Sequence, residues 1–245
     1  MGNAPFNNTL LKAFDEELIG RLKLKPVQFV VDQEIERVGG PIRHLYFVEV
    51  GMASMTTTFE DGSQVEVGMF GYESVIGISA LMGTKQSLNR IYTQIAGSGY
   101  RCDIQRGDEE FARGGIFQRL VLRYVQTQLV QAMQSAGCNA VHSFEQRLSR
   151  WLLISADRAN TDHFKMSQEF LSHMLGVTRP TVSVAAGHLK QEGLIGYTRG
   201  EIAIQDRPGL EKRSCECYQV IKDHLDNYAA FDAPGTDVEA AATAH

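Results

Sequence analysis

The residues best suited to chemistry lie between positions 166 and 199. Ser167 is a type that caps helix starts. Phe170, Leu171, Met174 and Leu175 follow it at the spacing of a buried helix face. Gly176 stands where the chain must turn, because glycine adopts left-handed backbone cheaply. Thr178 then caps a second helix, with Pro180 in its first turn, where no intrahelical N–H is lost. Val182, Ala185, Ala186 and Leu189 make that helix's inner face. Arg179, Pro180, Ser183, Val184 and Gly187 make an outer face that is small and nearly uncharged. Such a face suits a DNA major groove. Arg179 can donate two hydrogen bonds to guanine O6 and N7, and Val184 can meet a thymine methyl. Thr181 and Ser183 can reach phosphates or base edges. Gly196 to Glu201 has the pattern of a β-hairpin wing, with Arg199 placed for a phosphate. The expected DNA-contacting set is Ser167, Gln168, Thr178, Arg179, Pro180, Thr181, Ser183, Val184, His188 and Arg199.

The net charge of −5 argues against a nucleic-acid partner until it is divided along the chain. Residues 143–213 hold ten Lys and Arg against eight Asp and Glu, whereas residues 214–245 hold one against six. The acidity sits in the tail, and the DNA-reading segment is mildly basic. A small excess suffices when the cations share one face, because phosphate contacts dominate affinity.

The elements that must position this segment follow from periodicity. Leu10, Leu11, Phe14, Leu18 and Leu22 predict an opening helix. From Val27 to Ile104 short β-rich runs alternate with turn signals, which predicts a small sandwich or barrel. Leu45–Val50 and Ala53–Thr58 are separated by Gly51, and Asp61-Gly62 marks a hairpin. Ile116 to Cys138 predicts a long amphipathic helix. Its stripe of Leu122, Val125, Leu129, Ala132 and Ala136 has the 3-4 spacing of a dimer seam, which Val130 and Met133 widen. A further helix runs from Ser143 to about Arg158, with Phe144, Leu148, Trp151 and Leu152 on one face. Residues 231–245 are small and polar, as a disordered tail would be. The fold class expected is α+β.

Other chemistries find less support. No apolar run approaches the ~20 residues that span a bilayer, and no secretory signal opens the chain, so a cytoplasmic protein with no membrane partner is expected. Of the four cysteines, Cys102, Cys138, Cys215 and Cys217, only the last two are close. They could supply half of a zinc site, but no Cys or His pair nearby supplies the other half, so neither metal nor cofactor is expected. Lys212 and Arg213 precede them, which leaves a thiol redox sensor at Cys215 and Cys217 as an alternative. Catalysis on the barrel is not expected, since His44 is the only histidine in residues 1–141 and no nucleophile motif appears. Glu66 and Glu73 are expected at the surface and in a turn.

Leu45-Tyr46-Phe47-Val48-Glu49-Val50-Gly51, Val75-Ile76-Gly77 and Leu175-Gly176-Val177-Thr178-Arg179-Pro180-Thr181-Val182 resemble the bacterial Crp/Fnr (catabolite-activator and fumarate-nitrate-reductase) regulators over about residues 10–215. The resemblance implies a cupin-like double-stranded β-helix, cyclic-nucleotide-binding-like, over 1–112. A dimerisation helix over 113–142, a winged helix-turn-helix over 143–217, and a C-terminal helix with a tail over 218–245 would follow. It also implies a homodimer on a palindromic promoter, in contact with RNA polymerase. Two family signatures are missing. Gly77 is followed by Ile78 where the cyclic-nucleotide members carry Glu, and Asn89-Arg90 stands where they carry Arg-Ser. No cysteine precedes Cys102 to hold an iron–sulfur cluster. A cyclic-nucleotide or other small-ligand-binding regulatory protein remains the other alternative, with its ligand-binding residues unassigned. In the recognition helix the family's usual Arg, Glu and Arg become Arg179, Pro180 and Val184, so an unusual operator is expected.

Overall fold

A computed structural model describes residues 6–198 and 200–230 of the chain. The opening apolar residues belong to two helices, α1 (Thr9–Ala13) and α2 (Glu16–Leu22), rather than the single helix their spacing suggests. The break has a local cause. The Asn8 side chain accepts from the N–H groups of Leu10 and Leu11, and Asp15 accepts from Leu18 at 2.8 Å. Two caps worth about 1 kcal/mol each thus compete with one continuous helix. Leu10, Leu11, Phe14, Leu18 and Leu22 are buried in the same core all the same.

The β-rich region forms β1 (Lys25–Phe29), β2 (Glu34–Glu36), β3 (His44–Thr58), β4 (Gln64–Phe70), β5 (Val75–Ile76) and β6 (Arg90–Asp103). Pairing is antiparallel in the order β1-β6-β3-β4, with β2 added to β6 and β5 to β3. Gly51 does not separate two strands as expected. β3 runs through it with φ at +90°, and the register against β6 slips on both sides. A Cβ at Gly51 would stand 2.6 Å from the Ile95 carbonyl oxygen, so this glycine makes a bulge where strands approach closely. Asp61-Gly62 does close a hairpin: Phe59 donates to Ser63 at 2.9 Å and Gly62 to Phe59 at 3.0 Å.

A 3-10 turn (Ile78–Met82) and α3 (Ile104–Arg113) lead to α4 (Gly115–Val141). Phe117, Leu120, Val121 and Tyr124 bury one face of α4 in the barrel core. The seam face is bare, with Leu122 48% and both Leu129 and Met133 58% exposed. Beyond it come α5 (Phe144–Ala159), β7 (His163–Lys165), α6 (Gln168–Leu175), α7 (Arg179–Gln191), β8 (Ile195–Thr198), β9 (Glu201–Ile204), α8 (Arg207–Arg213) and α9 (Cys217–Asn227). A capping box of Ser143 with Gln146 starts α5. β7 joins the wing in a sheet ordered β7-β9-β8; three residues are too short to announce themselves in sequence.

Packing ties the parts together. Met52 and Met69 of the barrel share a core with Leu148, Trp151, Leu152 and the helix-turn-helix. In the other direction, Tyr228 after α9 enters the barrel core. Its ring lies 5.7 Å from that of Tyr124, and its hydroxyl donates to the Glu73 carbonyl at 2.6 Å. The expected tail at 231–245 lies outside the described residues.

Candidate nucleic-acid interface

Local hydrogen bonds build the helix-turn-helix as its residue types suggest. Ser167 Oγ accepts from the Phe170 N–H at 3.0 Å and starts α6. Gly176 ends it in left-handed backbone at φ +63°, with its N–H on His173 and that of Val177 on Ser172. Thr178 Oγ1 accepts from the Thr181 N–H at 3.4 Å and pairs with the Thr181 hydroxyl at 2.9 Å, which starts α7 with Pro180 in its first turn. Val182, Ala185, Ala186 and Leu189 are buried in the shared core. That fixes the roll of α7 and turns Arg179, Pro180, Ser183 and Val184 to solvent. Val184 is 59% exposed, an apolar side chain that the chain itself leaves uncovered. A Cβ on Gly187 would meet nothing within 4 Å, so this glycine is not demanded by packing and keeps the outer face low.

The wing is fastened beside the start of α6. Tyr197 Oη donates to the Met166 carbonyl at 3.0 Å, the Met166 N–H donates to Gly200 at 2.6 Å, and Lys190 Nζ of α7 reaches the Tyr197 carbonyl at 3.2 Å. Ser167, Gln168, Arg179, Tyr197 and Gly200 line the resulting cleft of about 380 Å³. Three of the expected contact residues therefore share one concavity. Arg179 enters no ion pair among the described residues and is exposed. Arg199 lies outside the described residues. His188 stands apart: its Nδ1 contacts the Glu145 carboxylate of α5, whose other oxygen lies 3.0 Å from Arg213 Nη2. A DNA contact from His188 would have to compete with that network.

Glu73 stands in a turn as expected, but is buried there against Arg158. Glu66, expected at the surface, is half-buried and accepts from Trp151 Nε1 at 2.7 Å and from Ser54 Oγ at 2.6 Å. Both face α5, so their surroundings are created by docking of the helix-turn-helix on the barrel. At the position of the family's phosphate-gripping pair, Arg90 is engaged by Glu34 at 3.3 Å and Gln64 at 3.2 Å and lies over the Tyr92 ring. The cysteines also depart from expectation. Cys215 and Cys217 do acquire a second pair, Cys138 and His142, from the end of α4. A Cys-x3-His spacing at a helix end was the signal for that pair. Among the described residues, no helix is long and apolar enough to cross a membrane.

Comparison with known proteins agrees with this geometry. Residues 146–213 match the model of the Crp-like helix-turn-helix domain. The chain is 25% identical over 219 residues to the global nitrogen regulator of Synechococcus elongatus, covering 84% of this chain and 97% of that protein. In fold it is similar to FixK2 from Bradyrhizobium japonicum, with a TM-score of 0.67 at 18% identity over 78% of this chain and 98% of that one. A Crp/Fnr-family regulator from Eubacterium rectale gives 0.66 at 16% identity, over 83% and 96% of the two chains.

Proposed function

We propose that the chain, a DNA-binding transcription regulator of the Crp/Fnr type, binds a palindromic promoter site as a homodimer. One α7 enters the major groove of each half-site. The observation that carries this reading is the outer face of α7: Arg179, Pro180, Ser183 and Val184 are exposed together on a helix whose opposite face is locked into the core. Arg179 reads a guanine, Val184 meets a thymine methyl, and Thr181 and Ser183 contact base edges or phosphates. Ser167, Gln168 and Thr178 hold the flanking phosphates from the helix starts, and Arg199 is assigned a further phosphate. Pro180 shapes the first turn and contributes no charge, so the operator differs from one read by Arg, Glu and Arg.

The bare seam of Leu122, Leu129 and Met133 on α4 supports dimerisation. A second copy of the same helix would cover it at matching 3-4 spacing, and two-fold symmetry would space the half-sites one turn of DNA apart, about 34 Å. The protein acts in the cytoplasm by recruiting or blocking RNA polymerase and performs no catalysis. With Ile78 after Gly77 and Arg90 held by Glu34, its signal is not cyclic AMP.

Selection of bound duplexes from random DNA tests the proposal. An inverted repeat with half-site centres about ten base pairs apart is the expected result. Enrichment of no sequence, or of a single asymmetric half-site, would overturn it.

A further inference from the structure

The last turn of α4 carries Cys138, and His142 follows one turn later at the junction with α5. Cys215, between α8 and α9, and Cys217, the first residue of α9, lie against them. Four ligand atoms from these residues lie within 4.8 Å of one another. Cys138 Sγ is 3.5 Å from Cys215 Sγ, and Cys217 Sγ is 3.6 Å from His142 Nδ1. A tetrahedral zinc ion with Zn–S near ~2.3 Å and Zn–N near ~2.1 Å requires S···S edges of about 3.8 Å and S···N edges of about 3.6 Å. The cage is therefore already close to the size of the ion.

The surroundings point the same way. All three thiols are buried and form a cluster of their own, apart from both hydrophobic cores. His142 presents Nδ1 to the sulfurs, while its Nε2 lies 3.3 Å from the Glu216 carboxylate. A carboxylate behind an imidazole fixes the tautomer that leaves the ligating nitrogen free. Gln134 Nε2 donates to Cys217 Sγ at 3.0 Å, a contact that steadies a thiolate.

We infer that Cys138, His142, Cys215 and Cys217 form a four-coordinate zinc site. Three thiolates and an imidazole select a soft, tetrahedral divalent ion, and the set contains no oxygen donor for magnesium or calcium. Four protein ligands leave no open position, so the ion is structural. Atoms this close cannot surround a polynuclear iron–sulfur cluster. A Cys138–Cys215 disulfide would use two sulfurs and leave the convergence of Cys217, His142 and Glu216 unexplained. Two ligands come from the end of α4 and two from the chain just past residues 146–213, the segment that matches the helix-turn-helix model. Zinc would thus clamp the DNA-reading module across the α4–α5 junction.

The test uses the full chain and a readout that does not depend on DNA binding. Protein purified under reducing conditions should contain about one zinc per chain by elemental analysis. Cys102→Ser, in the barrel, should leave this unchanged, whereas Cys138→Ser and Cys215→Ser should lower it at least tenfold. Cobalt(II) loaded in place of zinc should show tetrahedral ligand-field bands with thiolate charge transfer. His142→Cys should keep the metal and strengthen the charge-transfer absorption, which keeps the test decisive if the serine variants fail to fold. Wild-type protein that takes up neither zinc nor cobalt(II) would overturn the inference. So would a Cys138–Cys215 disulfide persisting in reductant, or an iron–sulfur chromophore.

Discussion

Arg158 Nε lies 3.1 Å from Glu73 Oε1, and the two side chains are only 2% and 4% exposed. Arg158 belongs to α5 and Glu73 to the turn between β4 and β5. Arg158 Nη2 also donates to Gln131 Oε1 of α4 at 2.7 Å. A single guanidinium therefore joins the barrel, the long helix and the DNA-binding module. Gly71 makes room for it, since a Cβ there would stand 2.5 Å from Arg158 Cβ.

Removing one partner strands the other charge. Glu73→Ala should destabilise the protein by about 3–5 kcal/mol in urea unfolding, because Arg158 would remain buried without its counter-ion. Adding Arg158→Met should recover most of that loss. A single-variant cost below about 1 kcal/mol would contradict a buried, coupled pair.

Glu66 makes the docking of α5 sensitive to pH. Burial pushes its carboxyl up to about 7 from the ordinary 4.5, against the hydrogen bonds from Ser54 and Trp151 that favour its charged form. A raised folded-state pKa means that the stability Glu66 contributes is fully present below its unfolded value near 4.5 and is lost as pH rises through about 7. Trp151 is the chain's only tryptophan and donates to this carboxylate, so it reports the event directly. Its emission should titrate with a midpoint near 7, and Glu66→Gln should abolish the transition. Identical titrations in the two proteins would assign it elsewhere.

The α4 seam makes a separate prediction. Leu129→Glu places a charge on a position that is more than half exposed in the single chain and buried in the proposed dimer. Sedimentation should show a dimeric wild type and a monomeric variant with unchanged helix content. A variant that stays dimeric at the same concentration would place the interface on another surface.

How much of this was legible in sequence depended on distance along the chain. Ser167, Gly176, Thr178 and the inner residues of α7 act within a few positions of themselves, so spacing and residue type were enough to place them. The turn expected at Gly51 is a bulge: the two kinds of glycine look alike in sequence, and only the carbonyl of Ile95 on a distant strand tells them apart. Asp15 split the first helix through one side-chain bond to Leu18, which apolar periodicity does not register. Glu66 is half-buried and Glu73 buried where α5 docks on the barrel, and the charged partner of Glu73 is Arg158, far along the chain. Cys138 and His142 show the same dependence. Each half of the cage is unremarkable alone, and the fold brings the halves together across the length of the winged domain.

Base reading by Arg179 is the centre of the proposed function, and one paired measurement decides it. At a single fixed salt concentration, the affinities of wild-type protein and Arg179→Ala should be measured on the selected inverted repeat and on random duplex. The variant should lose about 1–3 kcal/mol on the specific site. On random DNA, where phosphate contacts dominate, it should lose little. Equal affinity of the two proteins for both duplexes would contradict base reading by Arg179.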